Sequence, residues 1–182
     1  MEKVLAIHWR WSDIKKPSWL ERKEIFKKYW MQLDLYQFDK NYDPIYEAWK
    51  ETFDKIDFSK YKKIYTHSLW WVMLTRYLND NKIEAEKIVM IAPWKSLDTE
   101  KGLKPNLSKF WDDFEKKWFN LLVNDIIVIH AKDDEVVPIK NWKNFAKKIG
   151  AKFITFEKWW HWLKEYYDFF AKLVKEKISF NL

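Results

Sequence analysis

The chain has 182 residues, a formal net charge of +7 and no cysteine, which excludes disulfides, thiolate metal sites and a cysteine nucleophile. Its length suits one domain over residues 1–182, and 48% hydrophobic with 34% charged residues exclude a disordered composition. No apolar run reaches the ~20 residues of a membrane span, and the N-terminal sequence lacks a signal-peptide pattern. We therefore expect a cytoplasmic protein with no membrane partner.

Six short apolar runs, rich in Val, Ile and aromatic residues, predict buried β-strands. In chain order they are Lys3–His8, Met31–Phe38, Lys62–His67, Lys87–Pro93, Asp125–Ala131 and Ala151–Phe156. Segments with helical character lie between and after them at Trp19–Trp30, Ile45–Ile56, Leu69–Asn79, Lys109–Leu122, Lys140–Ile149 and His161–Lys177. This alternation predicts an α/β fold, with a mostly parallel sheet of about six strands and helices on both faces.

Two features between these elements carry further expectations. Gly150 directly follows a predicted helix, where a glycine in the left-handed region commonly ends the helix. The longest irregular stretch, Trp94–Ser108, is expected to be a lid or edge loop that shapes substrate choice.

Candidate chemical groups follow the predicted strands, at the sheet edge where open α/β sheets bind ligands. Ser68 comes directly after the third strand, Asp133 and Asp134 after the fifth, and His161 after the sixth. Serine, aspartate and histidine thus occur in the chain order of the α/β-hydrolase catalytic triad.

Each residue has a role that this chemistry requires. A neutral serine hydroxyl is a poor nucleophile, so His161 would take the proton of Ser68 while Asp134 fixes the imidazole tautomer. The oxyanion would be held by the backbone N–H of Leu69, at a helix N-terminus, and by one near Trp9, after the first strand. No metal or organic cofactor is required.

Structural alternatives exist for each group. Ser68 alone suits a helix N-cap, either aspartate suits a turn before the next helix, and His161 suits a partly buried position at the start of a helix. His8, His67 and His130 are interpreted as strand-end residues. No two histidines have the i, i+4 spacing of a helical metal site, so we expect no metal site of this kind.

Together these motifs resemble the small α/β-hydrolase-fold serine hydrolases of the YdeN and retinoblastoma-binding-protein type. The resemblance runs from VLAIH through HSL and DDEVVP to WWHWL. It implies Ser68 as nucleophile, Asp134 as acid and His161 as base in a carboxylesterase-type enzyme. Asp134 is preferred to Asp133 because the family's acid lies four residues before the proline of a D-x-x-V-P pattern, here Pro138.

The chain departs from this family at its glycines. Tryptophan stands at six positions where the family has glycine, namely Trp9, Trp11, Trp70, Trp71, Trp159 and Trp160, and Trp30 and Trp94 are further candidates. The whole chain has 14 Trp and only 2 Gly. One hypothesis explains this: some genetic codes read UGA as glycine and others as tryptophan, and the Lys-, Ile- and Asn-rich composition suits an AT-rich genome. UGG codons at Trp70, Trp71 and Trp160 would contradict it.

The sequence therefore predicts a serine hydrolase that acts on a small-molecule ester or related acyl substrate through an acyl-serine intermediate. The alternative is an inactive hydrolase-fold binding protein whose tryptophans line an aromatic pocket. A nucleic-acid partner is not expected, because the lysines are interleaved with Asp and Glu and form no dense basic block. Oligomeric state and natural substrate stay open.

Overall fold

The protein is described here from a computed structural model. The structure describes residues 1–7, 15, 17–36, 38, 46–67, 70–92, 121–134, 139, 142–158 and 166–176. Within these ranges, no helix has the length and apolar character needed to cross a membrane.

Six parallel strands form one sheet in the described part of the chain, in the order β2-β1-β3-β4-β5-β6. The strands are β1 (Glu2–Ile7), β2 (Met31–Leu35), β3 (Lys63–His67), β4 (Ala85–Ile91), β5 (Val123–Ala131) and β6 (Lys152–Phe156). The chain builds outward from β1 to β2, then passes to the other side of β1 for β3. The direction of winding therefore changes between β1 and β3, which is where open α/β sheets place their ligand crevice.

Five helices cover the two faces of the sheet in the same part of the chain. They are α1 (Pro17–Lys28), α2 (Tyr46–Phe53), α3 (Trp70–Asp80), α4 (Trp142–Lys148) and α5 (Tyr167–Lys175), with a short 3-10 helix at Phe58–Lys60. One apolar core contains residues of α1 and α5, and the other contains residues of α2, α3 and α4. Because successive strand residues point to opposite faces, Val4 and Ala6 join the first core while Leu5 and Ile7 join the second.

The predicted α/β class, the parallel sheet and the helices on both faces are confirmed. Gly150 is also confirmed as a left-handed residue, with a φ of 65°. It ends α4 with two hydrogen bonds, from its own N–H to the Lys147 carbonyl at 3.3 Å and from the Ala151 N–H to the Ala146 carbonyl at 2.8 Å. This pair of bonds is a Schellman motif.

Several predicted element boundaries were wrong, among them the helix predicted through Trp30, which ends at Lys28, and the strand predicted through Pro93, which ends at Ile91. Three further cases have a clear physical reason. The helix expected to reach Ile56 ends at Phe53, because the N–H groups of Lys55 and Ile56 bond only three residues back and tighten the chain. The second strand ends at Leu35 instead of Phe38, since its pairing with β1, its neighbour in the described sheet, ends there. Each boundary depends on hydrogen bonding that local residue patterns do not encode.

The third correction concerns the helix predicted at Lys109–Leu122. Leu121 and Leu122 are not helical, and the Leu122 carbonyl accepts a 3.0 Å hydrogen bond from Ala85 N–H at the start of β4. The remainder of that predicted helix, residues 109–120, lies outside the described residues, as does the predicted loop Trp94–Ser108.

Candidate active site

The carboxyl ends of the strands meet at one edge of the sheet. The register pairs Ile7 of β1 with Thr66 of β3, and His67 of β3 with Ile91 of β4. Ile91 in turn pairs with Ile129 of β5. Every predicted site residue comes after one of these strands in the chain, and in open α/β sheets this is the edge where ligands bind.

The connection from β3 to α3 is very short. β3 ends at His67 and α3 begins at Trp70, so only residues 68 and 69 join the strand to the helix. His67 and Thr66 are both buried at the end of the central strand. A short connection from a strand to a helix at the sheet edge is the position that a nucleophile elbow occupies in α/β hydrolases.

Asp134 is the predicted site residue whose side chain the structure describes. It follows the end of β5 by three residues and is only 4% exposed, whereas Asp133 is half-buried. One strand, β4, separates β5 from β3. The two strand ends are therefore about 10 Å apart at the usual strand spacing.

The other predicted site residues lie outside the described residues. These are Ser68, Leu69, His161 and Trp9. The same is true of Trp11, Trp159 and Trp160, which stand at expected glycine positions, and of Trp94, a further candidate. Trp70 begins α3, but its side chain also lies outside the described part of the chain. His8 also lies outside the described residues, while His67 and His130 lie at strand ends as predicted.

Trp71, one of the tryptophans at an expected glycine position, lies in the core behind the edge. It is 1% exposed, and its ring meets Trp142 of α4 edge-on at a centroid distance of 5.7 Å. Trp142 stacks on His130 of β5 at 5.9 Å. Trp71 lies in α3, so its backbone is right-handed and helical. The glycine that the family has at this position is therefore not explained by a left-handed backbone.

The imidazole of His130 is hydrogen-bonded to the backbone of the next residue. Its Nδ1 lies 2.9 Å from the carbonyl oxygen of Ala131, and a carbonyl can only accept, so Nδ1 carries the hydrogen. The ring is fully buried between the sheet and Trp142. Sequence reasoning missed this contact because Trp142 is twelve residues from His130 and belongs to another element.

A second feature missed from sequence is the backbone of Ala92, directly after β4. Its φ is 41°, and its N–H donates to the Ile129 carbonyl at 2.9 Å. A non-glycine residue in the left-handed region costs roughly 1–2 kcal/mol. Ala92 lies between the ends of β3 and β5. The sequence predicted it as part of a strand because the apolar run continues to Pro93.

A cleft of about 700 Å³ lies at the opposite, amino-terminal edge of the sheet. Its lining includes Lys63, Lys87, Lys152 and Lys175. Each of these lysines is paired: two share the carboxylate of Glu2 and two share that of Asp125, at 3.0 to 3.7 Å. These ion pairs hold strands and α5 together, so we place the candidate active site at the carboxyl edge instead.

Comparison with solved structures identifies the fold as that of the α/β hydrolases. YdeN from B. subtilis superposes with a TM-score of 0.68 at 18% identity, over 88% of each chain. Est1E from Butyrivibrio proteoclasticus, solved with ferulic acid bound, gives 0.69 at 15% identity over 96% of this chain and 87% of its own. A monoacylglycerol lipase from Paleococcus ferrophilus gives 0.69 at 13% identity, over 95% and 92%.

These similarities confirm the resemblance to small α/β-hydrolase-fold proteins such as YdeN. No protein-family model matches the sequence, and no curated protein matches it significantly. At identities of 18% or less, the comparisons establish the fold, and the activity has to be argued from the site.

Proposed function

We propose that the protein is a serine hydrolase that cleaves carboxylic esters or related acyl bonds through an acyl-serine intermediate. The observation that carries the proposal is the two-residue connection between β3 and α3, because it contains Ser68. A serine in such a turn presents its hydroxyl at the top of the sheet, with the N–H of the next residue, Leu69, at the start of the helix. The second oxyanion donor is the backbone N–H near Trp9.

The positions of the acid and base segments support the same assignment. Asp134 is buried at the end of β5, two strands from β3. His161 follows Phe156, the last residue of β6, by five residues, so the chain can carry it about 17 Å. The distance from β6 to β3 is three strand spacings, about 14 Å. His161 is therefore within reach of both partners.

In the proposed reaction, the Ser68 hydroxyl oxygen attacks the acyl carbon while His161 accepts the hydroxyl proton. The tetrahedral intermediate collapses, the acyl–oxygen bond of the ester breaks, and His161 returns the proton to the departing alcohol. Water then adds to the acyl-serine by the same route and releases the acid. The Asp134 carboxylate orients the imidazole and stabilises its charged form throughout.

The aromatic-pocket alternative gains no support from Trp71. An indole that is 1% exposed and packed against Trp142 belongs to the core and offers no surface to a ligand.

Labelling by a fluorophosphonate probe and the acyl-enzyme burst with an activated ester test the proposal. We expect both signals in the wild-type chain, and their loss in Ser68→Ala. Asp134→Asn should lower the rate about 10²–10⁴-fold, because the imidazole loses the acceptor that sets its tautomer. The matched control is Asp133→Asn, one residue away and half-buried, which should change the rate by less than about threefold.

A companion protein with glycine at positions 9, 11, 70, 71, 159 and 160 extends the test, with folding checked by circular dichroism. This variant tests whether the six tryptophans block the candidate active site at the carboxyl edge of the sheet. If neither folded protein shows labelling that depends on Ser68, the proposal is wrong. Equal losses in the Asp133 and Asp134 variants would remove Asp134 from the mechanism.

A further inference from the structure

The tryptophan and glycine contents of the chain are both abnormal. A globular chain of this length is expected to contain about 13 glycines at average usage. This chain has 2 Gly and 14 Trp. The turns of a globular fold need residues that can adopt a left-handed backbone conformation, and glycine does so without a steric penalty.

Trp30 occupies such a left-handed position. Its φ is 60°, it is the second residue after α1 ends, and its N–H donates to the Lys27 carbonyl at 2.9 Å. This is the C′ position of a helix, where glycine is the usual residue. The Trp30 side chain is 75% exposed, so no burial of the indole offsets the backbone strain.

Gly150 provides an internal comparison. It is the second residue after α4, has a φ of 65°, and makes the corresponding N–H bond to the residue three positions earlier. Lys82 occupies the same position after α3 with a φ of 51°. Lys82 is a polar residue whose exposure needs no explanation, whereas Trp30 is both strained and exposed as a large apolar side chain.

Other tryptophans in the described part of the chain have the environment that tryptophan requires. Trp19, Trp49 and Trp142 are 3%, 0% and 1% exposed and belong to the two apolar cores. All three lie in helices, with right-handed backbone. Trp71 belongs to neither group, because it is helical and buried yet stands at a family glycine position.

We propose that residue 30 is glycine in the protein as its own organism makes it, encoded by a UGA codon that the organism reads as glycine. Trp19, Trp49 and Trp142 are true tryptophans, encoded by UGG. The inference is independent of the proposed hydrolase activity, since it rests on composition, backbone conformation and burial alone.

The coding DNA and the mass of the native peptide test this directly. We expect UGA at position 30 and UGG at positions 19, 49 and 142. A peptide spanning residue 30, taken from the protein isolated from its source organism, should have the mass that glycine gives. UGG at position 30, or a native peptide with tryptophan there, overturns the inference, and the exposed indole would then be a candidate contact residue.

Recombinant variants give a second measurement. Trp30→Gly should raise the folding equilibrium constant about fivefold to tenfold in urea titrations, because it removes left-handed strain without removing buried surface. The matched control is Trp49→Gly, which should lower that constant by more than about a hundredfold or prevent folding, since it empties a core position. Unchanged or lower stability in Trp30→Gly contradicts the argument from strain.

Discussion

At the scale of single residues, the clearest physical signal is backbone conformation at helix ends. Three helices are followed by a residue with positive φ, and these residues are Trp30, Lys82 and Gly150. The same left-handed geometry is therefore adopted by a tryptophan, a lysine and a glycine. Side-chain contacts do not decide this position, because a Cβ built on Gly150 meets no atom within 4 Å.

Gly150→Ala isolates the strain itself. We expect a loss of about 1 kcal/mol in the free energy of unfolding, because alanine is disfavoured at positive φ and nothing else is disturbed. Lys82→Gly is the reciprocal change and should gain a similar amount. Urea titration of both variants provides the measurement. Equal stability of Gly150→Ala and the wild type would show that the backbone relaxes there at little cost.

At the scale of elements, lysines at the amino ends of β3 and β4 secure the C-terminal end of α5. Lys87 is 3% exposed, and its ammonium donates to the carbonyls of Leu173, at 2.9 Å, and of Glu176. It also pairs with Asp125 at 3.1 Å. Burial lowers the Lys87 pKa from its usual value, and the Asp125 carboxylate acts in the opposite direction. The two carbonyls lie at the C-terminal end of the helix, where the helix itself leaves carbonyls unpaired.

Lys87→Met tests this arrangement. The substitution keeps the apolar stem but removes the ammonium donor from the carbonyls of Leu173 and Glu176, and Asp125 keeps its ion pair with Lys152. We expect a loss of about 2–4 kcal/mol in the free energy of unfolding. Lys62→Met is the matched control: its ion pair with Glu86 is exposed, so its loss should be below about 1 kcal/mol. Similar losses in the two variants would contradict a capping role.

The strands were predictable from the sequence, whereas the contacts between distant elements were not. All six strands were predicted within about two residues at their starts, because strands buried on both faces read as continuous apolar runs. The contact between Lys87 and Leu173 was not predicted, since it joins residues 86 positions apart through the packing of α5 on the sheet. In the candidate site, chain order and strand ends predict Asp134 as the acid, which stays a prediction, while the contact of His130 with Trp142 depends on how α4 packs and was not predicted.

At the scale of the whole molecule, the first core is organised around Tyr65 in the central strand β3. Its ring meets Phe26 of α1 at 5.7 Å and Phe170 of α5 at 6.3 Å. Arg22 lies 5.9 Å from the same ring, between Trp19 and Tyr167. The tyrosine therefore lies where two helices and the sheet meet. Ionisation of its buried hydroxyl should lower the free energy of unfolding of the whole protein.

This cost of ionisation predicts how stability changes in alkali. Burial raises the pKa of Tyr65 to about 12 from an ordinary value of 10.0, with Arg22 acting in the opposite direction. Because the folded pKa is the higher one, the unfolded chain loses this proton first. The stability linked to Tyr65 is complete below pH 10 and is lost as the pH rises toward 12. Between pH 8 and pH 11, this group alone should remove about 1 kcal/mol.

Tyr65→Phe removes this linkage while keeping the ring contacts with Phe26 and Phe170. We expect the variant to lose about 1 kcal/mol less than the wild type between pH 8 and pH 11, with every other titrating group contributing equally to both proteins. Urea titrations of the two proteins at both pH values measure the difference, and any effect of the missing hydroxyl at pH 8 cancels within each protein. If both lose the same stability, the Tyr65 hydroxyl reaches solvent without global unfolding, and the junction of α1, α5 and β3 opens locally instead.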